Sequence, residues 1–200
     1  MRARIQVREV GLRDGLQLIK TRLPTKIKQT WLKKQIEAGF HEVEISSIVP
    51  KKILPQFSDA IDMINYSKRI SKCLPCVLVP NLKGFEIALQ AQAKKVIFVL
   101  SASEAHNLAN VNMTLETSLK ELKKIIAKNK KNPEKAKIEI IGSISTSFGC
   151  SISGRISEKK VLTIVQKLIE CGVDEISLAD TVGYANPRQV ASLVKQVLNL

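Results

Sequence analysis

Three side chains suited to carbonyl chemistry sit within one short stretch, Glu9-Val-Gly-Leu-Arg-Asp-Gly-Leu-Gln17. Asp14 is a hard oxygen ligand of the kind that suits Mg²⁺ or Mn²⁺. The neighbouring guanidinium of Arg13 suits an oxyanion developing at a carbonyl. Gln17 completes an Arg, an Asp and a Gln on one glycine-flanked loop. The same residues also fit an Arg–Asp surface pair in a turn, and residue types alone do not separate the two. A second candidate lies in Glu42-Val-Glu-Ile-Ser-Ser47. Alternation along a strand points Glu42 and Glu44 to one face. An interior carboxylate needs a cationic partner, for which Arg13 is the candidate. Asp180, in Leu178-Ala-Asp-Thr-Val-Gly183, fits either a helix cap or loop anchor or a direct role in catalysis.

These residues must be positioned by the elements around them, and the dominant pattern is short β-rich runs alternating with amphipathic stretches. The runs 5–10, 42–46, 73–79, 95–101, 137–145 and 175–180 read as strands. Helical periodicity places Ile27, Trp31, Leu32 and Ile36 on one side of 25–38. It groups Leu115, Leu119, Leu122, Ile125 and Ile126 within 114–128, and Val161, Ile164, Val165, Leu168 and Ile169 within 157–170. A further helix is expected over 188–198. Thr114 and Ser157 read as N-caps, Gly39 and Gly172 as C-terminal stops. The junction Glu37-Ala-Gly-Phe-His-Glu-Val-Glu-Ile45 resembles Glu170-Cys-Gly-Val-Asp-Glu-Ile-Ser-Leu178, which argues for repeated βα units and a parallel sheet. Six such units are counted in a single domain over 1–200. A (β/α)8 barrel needs eight, whereas a doubly wound open sheet would accept six. Neither a Gly-x-Gly-x-x-Gly after the first strand nor a Walker sequence favours a nucleotide-binding open sheet. In either arrangement the chemistry belongs where strands end and loops begin.

Composition excludes several classes. Hydrophobic residues make up 44% and charged residues 25% of 200 positions, ordinary for a soluble globular chain. No stretch approaches the roughly 20 apolar residues that span a bilayer, so no membrane partner is expected. The start, Met1-Arg-Ala-Arg, has no apolar signal core, which sets a cytoplasmic expectation. The net charge of +14 attracts anions, including a phosphate-bearing cofactor. The densest lysine run, 120–137, reads as a solvated helix face, and no aromatics alternate with basic residues, so no nucleic-acid partner is expected. Cys73 and Cys76 have redox or zinc spacing, but no second pair completes a zinc site, and core packing is the better reading. His41 and His106 have no closely spaced histidine partner.

The stretch Glu9–Gln17 is similar to the first-strand signature of the hydroxymethylglutaryl-CoA lyases. Further stretches resemble the same family in the same order: Pro80-Asn-Leu-Lys-Gly-Phe-Glu86, Ser101-Ala-Ser-Glu-Ala-His106 with Asn110-Val-Asn112, Phe148-Gly-Cys150, Gly154-Arg-Ile-Ser157 and Asp180-Thr-Val-Gly183. Isopropylmalate and homocitrate synthases share the Arg-Asp-Gly core but typically continue with Glu-Gln or Met-Gln, where this chain has Leu16-Gln17. They remain the alternative enzyme reading, and a non-catalytic basic binding protein is the alternative outside enzymes.

The resemblance implies an α/β fold of the (β/α)8 TIM-barrel type, incomplete, with a pyruvate carboxyltransferase-like catalytic domain. It implies cleavage of 3-hydroxy-3-methylglutaryl-CoA to acetyl-CoA and acetoacetate, in leucine degradation and ketone-body formation, with a divalent cation (Mg²⁺ or Mn²⁺). Carried over by position, Asp14 is a metal ligand, Arg13 contacts substrate and stabilises the enolate, Gln17 and Glu44 line and orient the site, and Lys20 approaches the CoA side. The partner expected is an acyl-CoA, with a homo-oligomer or a missing C-terminal part as further expectations. The family's His-x-His ligands, a further Asn and a proton-donating Cys in a glycine-rich loop have no counterpart before Leu200. Cys150 matches an earlier family position, where Ser151 replaces the usual Pro. Leu12 replaces a common Pro in the first loop. Little or no lyase activity is therefore expected of this polypeptide by itself.

Overall fold

The computed structural model describes residues 6–131 and 137–200. Ile5, with which the first expected strand begins, and part of the lysine run lie outside the described residues. The elements alternate as the repeats require: β1 (Arg8–Glu9), α1 (Thr25–Glu37), β2 (Glu42–Ser47), α2 (Ala60–Ser67), β3 (Leu74–Val79), α3 (Leu82–Gln90), β4 (Lys95–Ser101), α4 (Glu104–Val111), α5 (Leu115–Lys130), β5 (Glu139–Ser145), α6 (Glu158–Cys171), β6 (Glu175–Leu178) and α7 (Pro187–Val197). Strand order follows chain order. The pairs β1–β2, β2–β3 and β5–β6 are all parallel, as right-handed βα crossovers produce. Among the described residues, no helix is long and apolar enough to cross a membrane.

The chain forms two compact units. One takes in the described parts of Met1–Val96 and Glu134–Ile138, the other those of Ile97–Pro133 and Glu139–Leu200. In the first, β2 is buried along its whole length, and Val43, Ile45, Cys76, Val77 and Val79 form its core with Phe57, Met63 and Phe85. Such near-continuous apolar burial is what a parallel strand covered on both faces requires. In the second, Val96's successors Phe98 and Leu100 pack with Leu122, Ile125, Ile140, Val161, Val165 and Leu168. Thr114 and Ser157 cap α5 and α6 by accepting from the amides of Thr117 and Lys160. Gly172, at φ +90°, ends α6 in the left-handed conformation that favours glycine.

One expectation needs correction. The face of α1 that turns inward is Lys28, Leu32 and Gln35, not the apolar set with Ile27, Trp31 and Ile36; Ile27 is 52% exposed. The reason is local: acids wait on the inner side. Lys28 Nζ lies 2.6 Å from Asp59 Oδ1 and donates to the Gln56 carbonyl at 2.7 Å, while Thr25 Oγ1 donates to Asp59 Oδ2 at 2.7 Å. In addition, α2, α3 and α4 have only eight or nine residues each, too few turns for helical periodicity to stand out.

Removing one member of the buried Lys28–Asp59 pair strands the other charge. Asp59→Ala is expected to cost about 3–5 kcal/mol in urea unfolding, and a Lys28→Met/Asp59→Leu double variant to regain most of it. A loss below ~1 kcal/mol in the single variant would show that the pair is solvated rather than buried.

Candidate active site

The first strand ends in a single π-helical turn, Gly11–Gly15, rather than an irregular loop. The Leu16 amide closes it on the Gly11 carbonyl, and at its start the Asp14 amide donates to the Val10 carbonyl at 2.7 Å and the Arg13 amide to the same oxygen at 3.1 Å. Such turns are rare and concentrate at functional positions. Leu12 and Leu16, 0% and 5% exposed, anchor the turn in the core, at about 1.5–3 kcal/mol each. Between these anchors Arg13 and Asp14 are left to project.

A brace sets the start of the turn. Glu9 accepts from the Gly11 amide through Oε1 at 2.9 Å. Its other oxygen accepts from Gln35 Nε2 on α1. Glycine at position 11 leaves room for this brace: a Cβ there would stand 2.9 Å from Glu9 Oε1 and 3.1 Å from a Trp31 ring carbon, so the Glu9 carboxylate would have to shift. The roles of Glu9 and Gln35 were missed in sequence. The available signals were a carboxylate two residues before a glycine and a glutamine one helical turn from the buried Leu32.

The guanidinium of Arg13 is held from two sides. Its Nε donates to Glu44 Oε2 at 2.7 Å and its Nη2 stands 2.5 Å from the same oxygen. Its Nη1 donates to Asp14 Oδ1 at 2.9 Å. Glu44 is 8% exposed, Arg13 16% and Asp14 58%. The charge thus runs from a buried carboxylate, through a nearly buried guanidinium, to a carboxylate facing solvent. Immediately after Glu44 the β2–β3 register slips between Glu44 and Ser46. A bulge of this kind re-aims a strand where it carries a site. Three of the guanidinium's five N–H groups are engaged, leaving two for an oxygen of a bound molecule.

The expected residues therefore divide. Arg13, Asp14 and Glu44 come together. Gln17 is half-buried in the helical turn that follows, Lys20 is exposed, and the side chains of both make no hydrogen bond or ion pair among the described residues. Asp180 acts as the loop anchor: its carboxylate accepts from the amides of Tyr184 at 3.0 Å and Ala185 at 3.1 Å.

Glu42, two residues before Glu44, takes partners other than Arg13. It meets Arg8 Nη2 and Lys95 Nζ, each at 2.8 Å, and Cys76 Sγ at 3.3 Å. Burial alone would raise its carboxyl, but the hydrogen bond from Lys95 and the charge of Arg8 outweigh burial and hold it below its ordinary value. Cys76 moves the other way, pushed up by burial and by the Glu42 carboxylate, and burial pushes Cys73 up to about 11. Both thiols are free and buried, so the Cys73–Cys76 spacing belongs to the core. Cys150 is also free and buried, and its sulfur accepts from the amides of Ile152 and Ser153 at 3.3 and 3.4 Å.

A turn presenting Arg-Asp after the first strand, locked to a glutamate on the second, can now be set beside known proteins. The HMGL-like family model matches residues 4–200. The chain belongs to the HMGL-like family. It is 35% identical over 194 residues to the mitochondrial hydroxymethylglutaryl-CoA lyase of Arabidopsis thaliana, covering 97% of this chain and 41% of that protein. It is 34% identical over 195 residues to a hydroxymethylglutaryl-CoA lyase of Bacillus subtilis, covering 98% and 64%. An HMG-CoA lyase of Acinetobacter baumannii, solved with coenzyme A and 3-methylmalate, superposes with a TM-score of 0.90 at 36% identity, covering 97% of this chain and 62% of that one. The fold is accordingly that of an incomplete (β/α)8 barrel with six βα units. The chain spans between about two-fifths and two-thirds of the length of these relatives.

The Glu42 cluster makes stability depend on pH with a definite sign. A carboxyl whose folded pKa is depressed contributes above its unfolded value, ~4.3, and loses that contribution as pH falls through the lower folded value. Wild type is expected to exceed Glu42→Gln in urea midpoint at pH 7, with the gap closing below about pH 4. A gap that stays constant down to pH 3 would contradict the assignment.

Proposed function

We propose that this chain carries the substrate-facing Arg–Asp–Glu constellation of an HMG-CoA lyase, which cleaves 3-hydroxy-3-methylglutaryl-CoA to acetyl-CoA and acetoacetate. The observation that carries the reading is the guanidinium of Arg13, clamped by buried Glu44 beside exposed Asp14 on the turn after β1. Coenzyme A in the Acinetobacter baumannii relative supports an acyl-CoA as the ligand.

In that reaction the tertiary hydroxyl loses its proton and the carbon–carbon bond breaks. One fragment leaves as acetoacetate, while the electron pair stays on the thioester fragment as an enolate, which takes up a proton at carbon. Negative charge collects on the thioester oxygen. Arg13 offers that oxygen its two unengaged N–H groups, and Glu44 fixes their direction before substrate arrives, so little reorganisation opposes the charge build-up. Glu44 is committed to Arg13 and is a positioning residue. Gln17 and Lys20 flank the same turn, and the exposed Lys20 ammonium suits a CoA phosphate.

A divalent cation is the cofactor expected of this family, and Asp14 is the residue that would contribute a carboxylate to it. Among the described residues no group of three or more His, Cys, Asp or Glu is placed to hold a metal ion. One carboxylate does not make a Mg²⁺ site, because the ion demands several well-placed oxygens. The described residues of this chain therefore do not fit a complete cation site.

The test joins this chain to the C-terminal part of the Bacillus subtilis relative and follows acetoacetate release with Mg²⁺ present. Turnover is expected in the joined protein, falling by about 10³-fold in Arg13→Met, whereas the chain by itself shows little or none. An active joined protein that is indifferent to Arg13→Met would defeat the proposal, as would turnover by the chain alone at the rate of a full-length lyase.

A further inference from the structure

The segment that leads from β1 to α1 and the one that leads from β2 to α2 are tied together. Gln56 Nε2 donates to the Ile19 carbonyl at 2.8 Å, and the Gln56 carbonyl accepts from Lys28 Nζ at 2.7 Å. Each segment holds one apolar side chain out in solvent: Leu18 is 83% exposed and Ile53 69%. Lys20 and Arg22 follow the first, Lys51 and Lys52 precede the second, and all four are exposed. None of these four makes an ion pair among the described residues. No Asp or Glu occurs within 15–36 or 45–58. The acids that bound these stretches in sequence are already engaged. Asp14 and Glu44 share Arg13, Glu37 lies 3.7 Å from Lys33, and Asp59 is held by Lys28. A singly exposed leucine is ordinary. Two apolar tips on joined segments, flanked by four cations that those acids do not neutralise, mark a surface for a partner.

We infer that this rim rests against an anionic lipid surface, with Leu18 and Ile53 entering the boundary between headgroups and acyl chains and the four cations meeting lipid phosphates. Charge complementarity sets the sign of the partner. The form of the rim selects a bilayer over an acidic protein. Its two apolar side chains stand as separate tips, each beside basic residues, and do not line a shaped groove. A fluid surface needs apolar tips and opposite charge, whereas a folded partner needs a matching shape. Lysine and arginine also suit this boundary, since their stems lie along apolar matter while the charged ends reach the headgroups. The absence of a spanning helix among the described residues bears on crossing a bilayer, not on lying against one. The inference does not rest on the lyase reading.

The experiment sediments the chain with sucrose-loaded vesicles of phosphatidylcholine, either alone or mixed equally with phosphatidylglycerol, at about 0.1 M salt. Binding to the anionic vesicles is expected to exceed binding to the neutral ones by roughly tenfold or more and to weaken as salt rises. Leu18→Ser/Ile53→Ser leaves the charge unchanged and should weaken it by roughly tenfold or more. Lys51→Glu/Lys52→Glu should weaken it by a similar roughly tenfold factor. Lys159→Glu/Lys160→Glu makes the same change in net charge at exposed positions in the first turn of α6. That variant should bind within about twofold of wild type, because screening confines the attraction to charges near the lipid. Circular dichroism checks that each variant is folded. Equal binding to the two vesicle types, undiminished binding by folded Leu18→Ser/Ile53→Ser, or an equal loss in Lys159→Glu/Lys160→Glu would overturn the proposal. No binding to either vesicle would also overturn it and point to an acidic protein instead. So would sedimentation without vesicles that the serine variant abolishes, since the tips would then join copies of the chain. Vesicle binding is read without substrate, so its outcome is independent of turnover in the joined protein.

Discussion

The pairing of Arg13 with Glu44 is the constraint around which the first unit is arranged. A glutamate 8% exposed at the middle of a fully buried strand is costly unless a cation reaches it. The only route for Arg13 to do so is from the turn after β1, so that turn must be held tightly in place. The hydrogen bonds of the Arg13 and Asp14 amides to the Val10 carbonyl, the two leucine anchors and the Glu9 brace on the Gly11 amide all serve that placement. Asp14 is then carried outward as a consequence of standing next to Arg13. A binding constellation and a folding requirement are thus satisfied by the same few bonds.

Among the described residues of the same unit, charge is stored in three separate groups with buried carboxylates: Arg13–Glu44, Lys28–Asp59 and the Glu42 cluster with Arg8 and Lys95. Each joins elements distant in sequence. Pairs of this kind contribute less to net stability than to fixing one arrangement over others. In a unit that has to present a guanidinium in a set direction, that specificity is what the site requires.

Much of this was legible in the sequence, and the parts that were not have identifiable causes. Lys95–Ser101 was readable as a strand to the residue, because its centre, Val96-Ile-Phe-Val99, is an unbroken run of β-branched and aromatic residues. Thr114, Ser157 and Gly172 announced helix ends through chemistry that is local by nature. The family stretches were legible as resemblance, yet the structure gives several of them structural work. Asn81 caps α3 by accepting from the Gly84 amide, where a Cβ would come 3.1 Å from the Ile48 carbonyl. Asn107, which lies between the stretches 101–106 and 110–112 and in neither, ties the Ser101 amide, the Met113 carbonyl and the Ser118 hydroxyl together. What failed was the inner face of α1. Periodicity ranks residues by hydrophobicity, and it has no means of knowing that Glu9 and Asp59 will wait opposite Gln35 and Lys28. Of the candidate site, Arg13, Asp14 and Glu44 were legible from type and spacing, while the direction of Gln17 and Lys20 depends on a turn whose π-helical geometry leaves no pattern in sequence.

The central claim is that Arg13 is oriented by Glu44 before any ligand arrives, and proton exchange at the Arg13 Nε–H reads it most directly. In ¹⁵N-resolved NMR of the ligand-free chain, that proton should give a distinct, slowly exchanging resonance that merges with those of solvent-exposed arginines in Glu44→Gln. An Arg13 Nε–H exchanging in the wild type as fast as that of a free arginine would mean that the guanidinium is not held, and the account would be wrong.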